Sequence, residues 1–316
     1  MTVRGPPSER SPAELLSFGV VNLDKPPGPS AHQVADWVRE FTAESMEAMA
    51  DSSPSPIEEV PSPIDRAAHA GTLDPKVTGS LPMMLGEATR VAQVFDDSIK
   101  EYVAVLELHG PPPVDMETIV SEFEGKLYQK PPRKSAVSRR LRVREVHELE
   151  MLEQDGRKVL LRVSCEAGTY IRKLCHDIGL ALGVGAHMGD LRRTATGVFD
   201  DSSLVTMEEF VDALAFWEDG DSGPLFDFVQ PAEAVLSTLP RIYIAPNAAR
   251  EVAEGAPVYA PGVISAEPAR EGNRKPIQGE LVACFTPNEA AVCLGTLVGD
   301  PAAESGLVVE LERVLV

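Results

Sequence analysis

At 316 residues the chain is long for a single hydrophobic core and predicts two domains. An apolar content of 43%, no apolar run long enough to span a bilayer and no signal-peptide core before Pro12 point to a folded cytoplasmic protein and away from a membrane one. The net charge of −20 argues against a uniformly nucleic-acid-binding surface, yet fifteen Lys/Arg against eight Asp/Glu within 126–193 make a basic island of +7, leaving −27 on the remainder.

The acid excess reads as adaptation to concentrated salt, with ordinary solubility as the alternative. Cys165, Cys175, Cys284 and Cys293 form no CxxC pair and lie in apolar stretches, as small buried thiols do. The six histidines show no ligand spacing, so no metal is expected.

In chain order, residues 1–16 are rich in Pro and Ser and read as a loose tail. Ser17 to Asp24 reads as a strand, and Lys25-Pro26-Pro27-Gly28-Pro29 as a stiff loop. Ser30 caps a helix in a capping box with Gln33, and Val34, Trp37, Val38 and Phe41 form its apolar stripe. Residues 42–65 hold six acids, four prolines and no Lys or Arg, the composition of a flexible acidic insertion.

The stretch His69-Ala70-Gly71-Thr72-Leu73-Asp74-Pro75-Lys76-Val77-Thr78-Gly79 follows. Asp74 stands before a proline, which favours extended backbone and holds the acid in place. Gly71 and Gly79 bracket it and permit tight or positive-φ turns, although a Leu-Asp-Pro segment by itself is an ordinary surface turn.

Thr89 to Phe95 reads as a short helix, and Lys100 to His109 as a strand with Tyr102, Ala104, Leu106 and Leu108 on one face. Asp115 to Phe123 reads as a helix. The basic island opens at Gly125-Lys126-Leu127-Tyr128-Gln129-Lys130-Pro131-Pro132 and continues through Arg133, Lys134, Arg139, Arg140, Arg142 and Arg144, with Leu141 and Val143 on the opposite face of a strand-like run. Such a run is either a solvated basic edge or a phosphate-contacting one.

Lys158 to Cys165 is a further strand, and Thr169 can cap a helix carrying Ile171, Leu174, Cys175, Ile178 and Leu182 at helical spacing. Arg172 falls in its first turn, where the helix dipole disfavours a cation, so a carboxylate or phosphate partner is expected. Residues 185–197 return as a strand, Thr206 and Glu209 box the start of a helix reaching Trp217, and a helix lies around Pro231 to Leu236. From Arg241 the pattern changes to short strands with a small helix at Ala248 to Glu254.

The 69–79 string, with Asp-Lys-Pro-Pro-Gly at 24–28, Lys-Glu-Tyr at 100–102, Gly-Thr-Tyr-Ile-Arg at 168–172 and Gly-Ala-His-Met-Gly-Asp-Leu-Arg-Arg at 185–193, resembles the motifs of the TruB/dyskerin family of pseudouridine synthases, in its archaeal and eukaryotic form. Ala70 departs from the Gly-Gly that this form has after the histidine. The resemblance implies an α+β fold: a catalytic domain over 17–239 with a central mixed or antiparallel sheet flanked by helices, and a small β-barrel-like PUA domain over 240–316.

It further implies that Asp74 is the catalytic carboxylate, paired with Arg172, and that Tyr102 stacks on the target base beside Tyr170. Leu191 would pack under a flipped nucleotide. Lys25, His69, Gly71 and Thr72 would serve substrate or RNA binding, as would Lys130, Arg133, Lys134, Arg139 and Arg140. Lys25 also reads as a group holding Asp74, or as a plain solvated lysine. Arg172 would keep Asp74 ionised, since an opposite charge within about 4–6 Å favours the charged carboxylate.

The isomerisation conserves atoms and oxidation state, so no cofactor is implied. The implied partners are RNA, either tRNA or rRNA selected by a box H/ACA guide RNA, and the small accessory proteins of that particle. A guide-independent enzyme acting on the tRNA T-loop, and a scaffold that grips RNA without chemistry, are the alternatives.

Overall fold

In the computed structural model, which describes residues 4–52, 61–131, 138, 140–270 and 275–316, one large sheet carries the motifs. Its strands are β1 (Gly19–Lys25), β2 (Ala67–His69), β3 (Thr78–Leu85), β4 (Lys100–Leu108), β5 (Gly125–Gln129), β6 (Arg142–Asp155), β7 (Lys158–Cys165), β8 (Ala186–Thr196) and β9 (Val229–Pro231). They lie in the order β5-β6-β7-β4-β8-β3-β1-β9, with β2 on β3. All pairs are antiparallel except β3 with β8, so the sheet is mixed, as expected.

The burial of each strand follows its sequence. β1 and β3 are buried almost throughout, polar Asn22, Lys25 and Ser80 included, as happens in central strands covered on both faces. β4 and β7 alternate and bury one face: Ala104, Leu106 and Leu108 on β4, and Val159, Leu161, Val163 and Cys165 on β7.

Six helices among the described residues serve this sheet: α1 (Pro12–Ser17), α2 (Ala31–Ser52), α3 (Met116–Ser121), α4 (Ile171–Ala181), α5 (Met207–Glu218) and α6 (Gly223–Phe228). α1, α2 and α5 cover β1 and β3 in one apolar cluster, which includes Leu16, Val21, Val38, Leu81 and Met83. α3 and α4 cover β4, β6 and β7 in another. Each fully buried Leu, Val or Met in such a cluster contributes about 1.5–3 kcal/mol.

A second sheet follows: β10 (Arg241–Ile244), helix α7 (Pro246–Ala253), then β11 (Val258–Tyr259), β12 (Val263–Glu267), β13 (Leu281–Phe285), β14 (Ala291–Leu297) and β15 (Leu307–Val314), in the order β11-β15-β14-β13-β10-β12. The two sheets share a third cluster, in which Phe18, Met84, Val91 and Phe199 meet Tyr243, Phe285, Leu294 and Leu315.

Several expectations are corrected. The stretch read as a loose tail contains α1, whose Ser11 and Glu14 form a capping box; Leu15 and Leu16 are buried, and Arg10 pairs with Glu233 at 2.5 Å. The insertion read as flexible is helical as far as Ser52, with Thr42, Ser45 and Met46 buried; residues 53–60 lie outside the described residues. The Ser30–Gln33 box does start α2, but Trp37 is 41% exposed and leaves the predicted stripe.

The helices read near 89–95 and 231–236 are 3₁₀ segments, Gly86–Phe95 and Ala232–Thr238. Thr169 does not cap α4: Tyr170 is its N-cap residue, and the Thr169 hydroxyl donates instead to the Glu166 carbonyl at 2.8 Å. Leu141 and Val143, read only as lying opposite the arginines, are 64% and 47% exposed. All four cysteines are buried.

Candidate active site

The 70–77 loop leaves β2, crosses the end of the sheet and enters β3. Leu73 and Val77 point inward, 3% and 4% exposed, and pin it to the core. Between them the Val77 N–H donates to the Asp74 carbonyl at 2.9 Å, closing a β-turn with Pro75 at its second position. Asp74 is thus held on the outside of a turn whose neighbours are fixed.

The expected glycines have the required geometry. Gly71 and Gly79 take φ of +98° and +97°, and a Cβ on Gly79 would stand 2.1 Å from the Arg193 carbonyl. Ala70 does not disturb the loop: its φ is not positive, it is 1% exposed, and its N–H donates to the Pro82 carbonyl at 2.9 Å.

Lys25 is not solvated, and it faces the loop and not the solvent where RNA would lie. It is fully buried, and its Nζ donates to the carbonyls of Pro26 (2.9 Å), Pro75 (3.1 Å) and Val77 (2.9 Å). Burial lowers its pKa. The Gly28 N–H adds a bond to the Pro75 carbonyl at 2.8 Å, so the Pro-rich loop after β1 braces the turn that carries Asp74.

Arg172, in the first turn of α4, forms an ion pair with Asp74. The two side chains are 48% and 53% exposed, so the pair sits at an open mouth. Tyr170 is set by Gln129, a side chain 1% exposed at the end of β5: Gln129 Oε1 accepts from the Tyr170 N–H at 2.8 Å, and its Nε2 donates to the Tyr170 carbonyl at 3.3 Å. Tyr102 and Leu191 face each other's strands on β4 and β8, partly buried, and both touch the two apolar clusters that flank the site. Burial raises the Tyr102 hydroxyl pKa, keeping it protonated.

His69 is half-buried, its ring edge-on to His32 with centroids 4.8 Å apart. Burial, with His32 and Arg193 nearby, lowers its pKa to about 4, so it is neutral at pH 7. Thr72, Lys130 and Arg140 are exposed, whereas Arg133, Lys134 and Arg139 lie outside the described residues. Other members of the basic island are committed to protein partners: Arg144 to Glu166 (2.8 Å) and Arg162 to Glu150 (2.5 Å), while Arg192 grips Asp24 through two bonds of 2.9 and 2.8 Å.

Two groups beneath the site escaped the sequence reading. Arg193 is 1% exposed; its Nε donates to the Ser80 carbonyl at 2.7 Å and its Nη2 to the Gly71 carbonyl at 3.2 Å, and it stands in register with Tyr102 on β4. Lys100 is 5% exposed, bonded to Phe95 and Ser98, with a pKa lowered to about 8 by burial and then by Arg193. The only sequence signal for them was two more basic residues in motifs already full of them.

Three family models match the chain: TruB family pseudouridylate synthase (N terminal domain) over 59–113, tRNA pseudouridylate synthase B C-terminal domain over 172–237, and the DKCLD (NUC011) domain over 4–35, which takes in most of the 1–16 stretch read as loose. The "Probable tRNA pseudouridine synthase B" of Haloarcula marismortui is 63% identical over all of this chain and 94% of its own length. The protein of the same name from Halobacterium salinarum is 55% identical over the full length of both. Among solved structures, a chain of a Cbf5-Nop10-Gar1 complex is similar with a TM-score of 0.85 and 41% identity, covering 99% of this chain and 90% of that one. A chain of an H/ACA RNP bound to a substrate RNA containing 2′-deoxyuridine is similar with a TM-score of 0.84 and 39% identity, over 99% of this chain and 90% of that one. With such similarity over its full length on this fold, the chain belongs to the TruB/dyskerin family of pseudouridine synthases.

Proposed function

We propose that the protein isomerises uridine to pseudouridine in RNA with Asp74 as the catalytic carboxylate. The observation that carries this is the half-exposed ion pair of Asp74 with Arg172, with Tyr170 two residues before Arg172 and with Tyr102 and Leu191 on the neighbouring strands β4 and β8. The reaction breaks the bond between N1 and C1′ and joins C1′ to C5 of the same base; the C5 proton leaves to solvent and N1 takes up a proton. Asp74 serves either as nucleophile at C1′ or as base at C2′ through a glycal; both routes need an ionised carboxylate close to the ribose. Arg172 favours that charged form, and Tyr102 offers a ring for the detached base to stack on.

A uridine inside folded RNA must be extruded, at a cost of a few kcal/mol offset by stacking and basic contacts. Leu191 packs under the extruded nucleotide in this reading. Lys130 and Arg140, with Arg133, Lys134 and Arg139, contact phosphates along the RNA. Lys25, Gly71 and His69 act indirectly by shaping the loop, with Thr72 on its exposed side.

We assign 17–239 to catalysis and 240–316 to a PUA-type RNA-binding unit; the separate second sheet supports that division. No helix among the described residues is long and apolar enough to cross a membrane. The cytoplasmic placement belongs to this proposal and is supported by the chemistry assigned to the site.

The names of the relatives support tRNA as substrate, and the similarity to chains of H/ACA particles supports guided modification with accessory proteins. RNA carrying tritium at uridine C5 tests both, because each turnover releases the label to water. Release is expected from a tRNA transcript with the protein alone, or from a guide–target duplex with accessory proteins. No release from either removes the proposal.

A further inference from the structure

Helix α4 begins without a capping side chain: its N-cap residue, Tyr170, makes no side-chain cap, and the Thr169 hydroxyl is turned to the Glu166 carbonyl. Its start is held instead by two residues at the base of the β5–β6 hairpin. Gln129 takes hold of the Tyr170 backbone as a neighbouring strand would, accepting from its N–H at 2.8 Å and donating to its carbonyl at 3.3 Å. Arg144 holds the turn before it, its Nε donating to the Gly168 carbonyl at 3.2 Å and its Nη1 to Glu166 at 2.8 Å. Gln129 registers with Arg142 on β6, so Arg144 is its diagonal neighbour on the same face of the hairpin.

We infer that Gln129 and Arg144 are positioning residues for the isomerisation, the base of the β5–β6 hairpin holding the start of α4 so that Arg172 meets Asp74. This rests on the roles proposed above for Asp74 and Arg172. Gln129 is 1% exposed, and a residue needed merely to fill that space would be apolar, since a buried amide is costly unless both its halves are bonded. Arg172 stands two residues beyond Tyr170, at the helix end whose dipole repels a cation. Its ion pair with Asp74 is half exposed, so the pair is too weak by itself to hold the helix in place. Close packing reinforces the grip: a Cβ on Gly168 would stand 3.1 Å from an Arg144 Nη2 atom, so the guanidinium lies directly against the turn.

The test compares Gln129→Leu, Arg144→Met, Arg172→Met and the Gln129→Leu/Arg172→Met double variant, on the RNA that the unaltered enzyme turns over, by tritium release under saturating and subsaturating RNA. Gln129→Leu keeps much of the volume but removes both bonds to Tyr170. It is expected to lower kcat about 100-fold with KM within about threefold, since misplacing reacting groups by an ångström costs that much. Arg144→Met leaves the Gln129 bonds in place and is expected to lose about tenfold in kcat, again at constant KM.

The double variant should be no slower than its slower parent, within about threefold, because the arginine through which Gln129 acts is already gone. Losses that multiply fully would assign Gln129 to general support of the fold and overturn the inference. A raised KM at wild-type kcat in both hairpin variants would do the same, being the mark of residues that only contact RNA. Should Gln129→Leu fail to fold, Gln129→Glu decides, since its carboxylate still accepts from the Tyr170 N–H but cannot donate to the carbonyl. Wild-type kcat there overturns the inference, and a loss of about tenfold at constant KM upholds it. Turnover by Asp74→Asn would instead overturn the reading on which it rests, whereas an inert Asp74→Asn beside a fully active Gln129→Leu defeats this inference alone.

Discussion

Replacing Lys25 by Met removes an ammonium and leaves a side chain of similar length. The Pro75 carbonyl still accepts from the Gly28 N–H, but the Pro26 and Val77 carbonyls lose their Nζ donor. Two buried acceptors left unmet cost about 1–3 kcal/mol each, and relief from burying the ammonium offsets part of that. A net loss of about 2–4 kcal/mol follows, concentrated at the turn beneath Asp74. Because that turn sets the carboxylate, kcat should fall about 10- to 100-fold while RNA affinity stays within about threefold. Urea denaturation and single-turnover tritium release measure the two effects. A Lys25→Met protein with unchanged stability and unchanged kcat would mean that Leu73 and Val77 hold the loop unaided, and would refute this reasoning.

Gly79→Ala should destabilise the fold by more than about 2 kcal/mol and abolish most turnover, because the new Cβ meets the Arg193 carbonyl and the backbone sits at φ +97°; denaturation and tritium release check it. His69, with a pKa near 4 in the folded chain against 6.5 unfolded, binds fewer protons when folded, so its contribution is intact above pH 6.5 and lost as pH falls toward 4. Acid denaturation should show that slope, on the order of 1–3 kcal/mol across the window, and His69→Gln should flatten it. With −27 spread outside the basic island, stability in chemical denaturation should rise from dilute buffer to molar KCl; greatest stability in dilute buffer would leave the acid excess without this explanation.

The local signals at the ion pair, a carboxylate fixed by a following proline and an arginine at the wrong end of a helix, made a held acid and an arginine in want of an anionic partner legible, while their pairing with each other came from the family resemblance. The capping boxes at Ser30 and Thr206 were legible for the same reason, being local. What stayed hidden depends on burial. Lys25, Gln129 and Arg193 look in sequence like surface or RNA-facing groups, and only the fold turns them inward onto backbone carbonyls.

The later turns of α2 were obscured differently. Its buried positions beyond Phe41 include Thr42 and Ser45, which do not register as apolar, while Glu44, Glu47 and Asp51 face out and mimic a disordered acidic tract. The N-terminal stretch misled by composition too, since Ser11-Pro12 and Glu14 are the elements of a helix start as well as the composition of a loose tail.

The central claim is that one carboxylate performs the chemistry. Asp74→Asn keeps size and hydrogen bonding to Arg172 while removing the charge. Tritium release from the RNA that the unaltered enzyme turns over should fall by about 10⁴-fold or more, as when other covalent nucleophiles are removed, with the Kd for RNA within about threefold. Asp74→Asn turning over within tenfold of the unaltered enzyme would contradict the account.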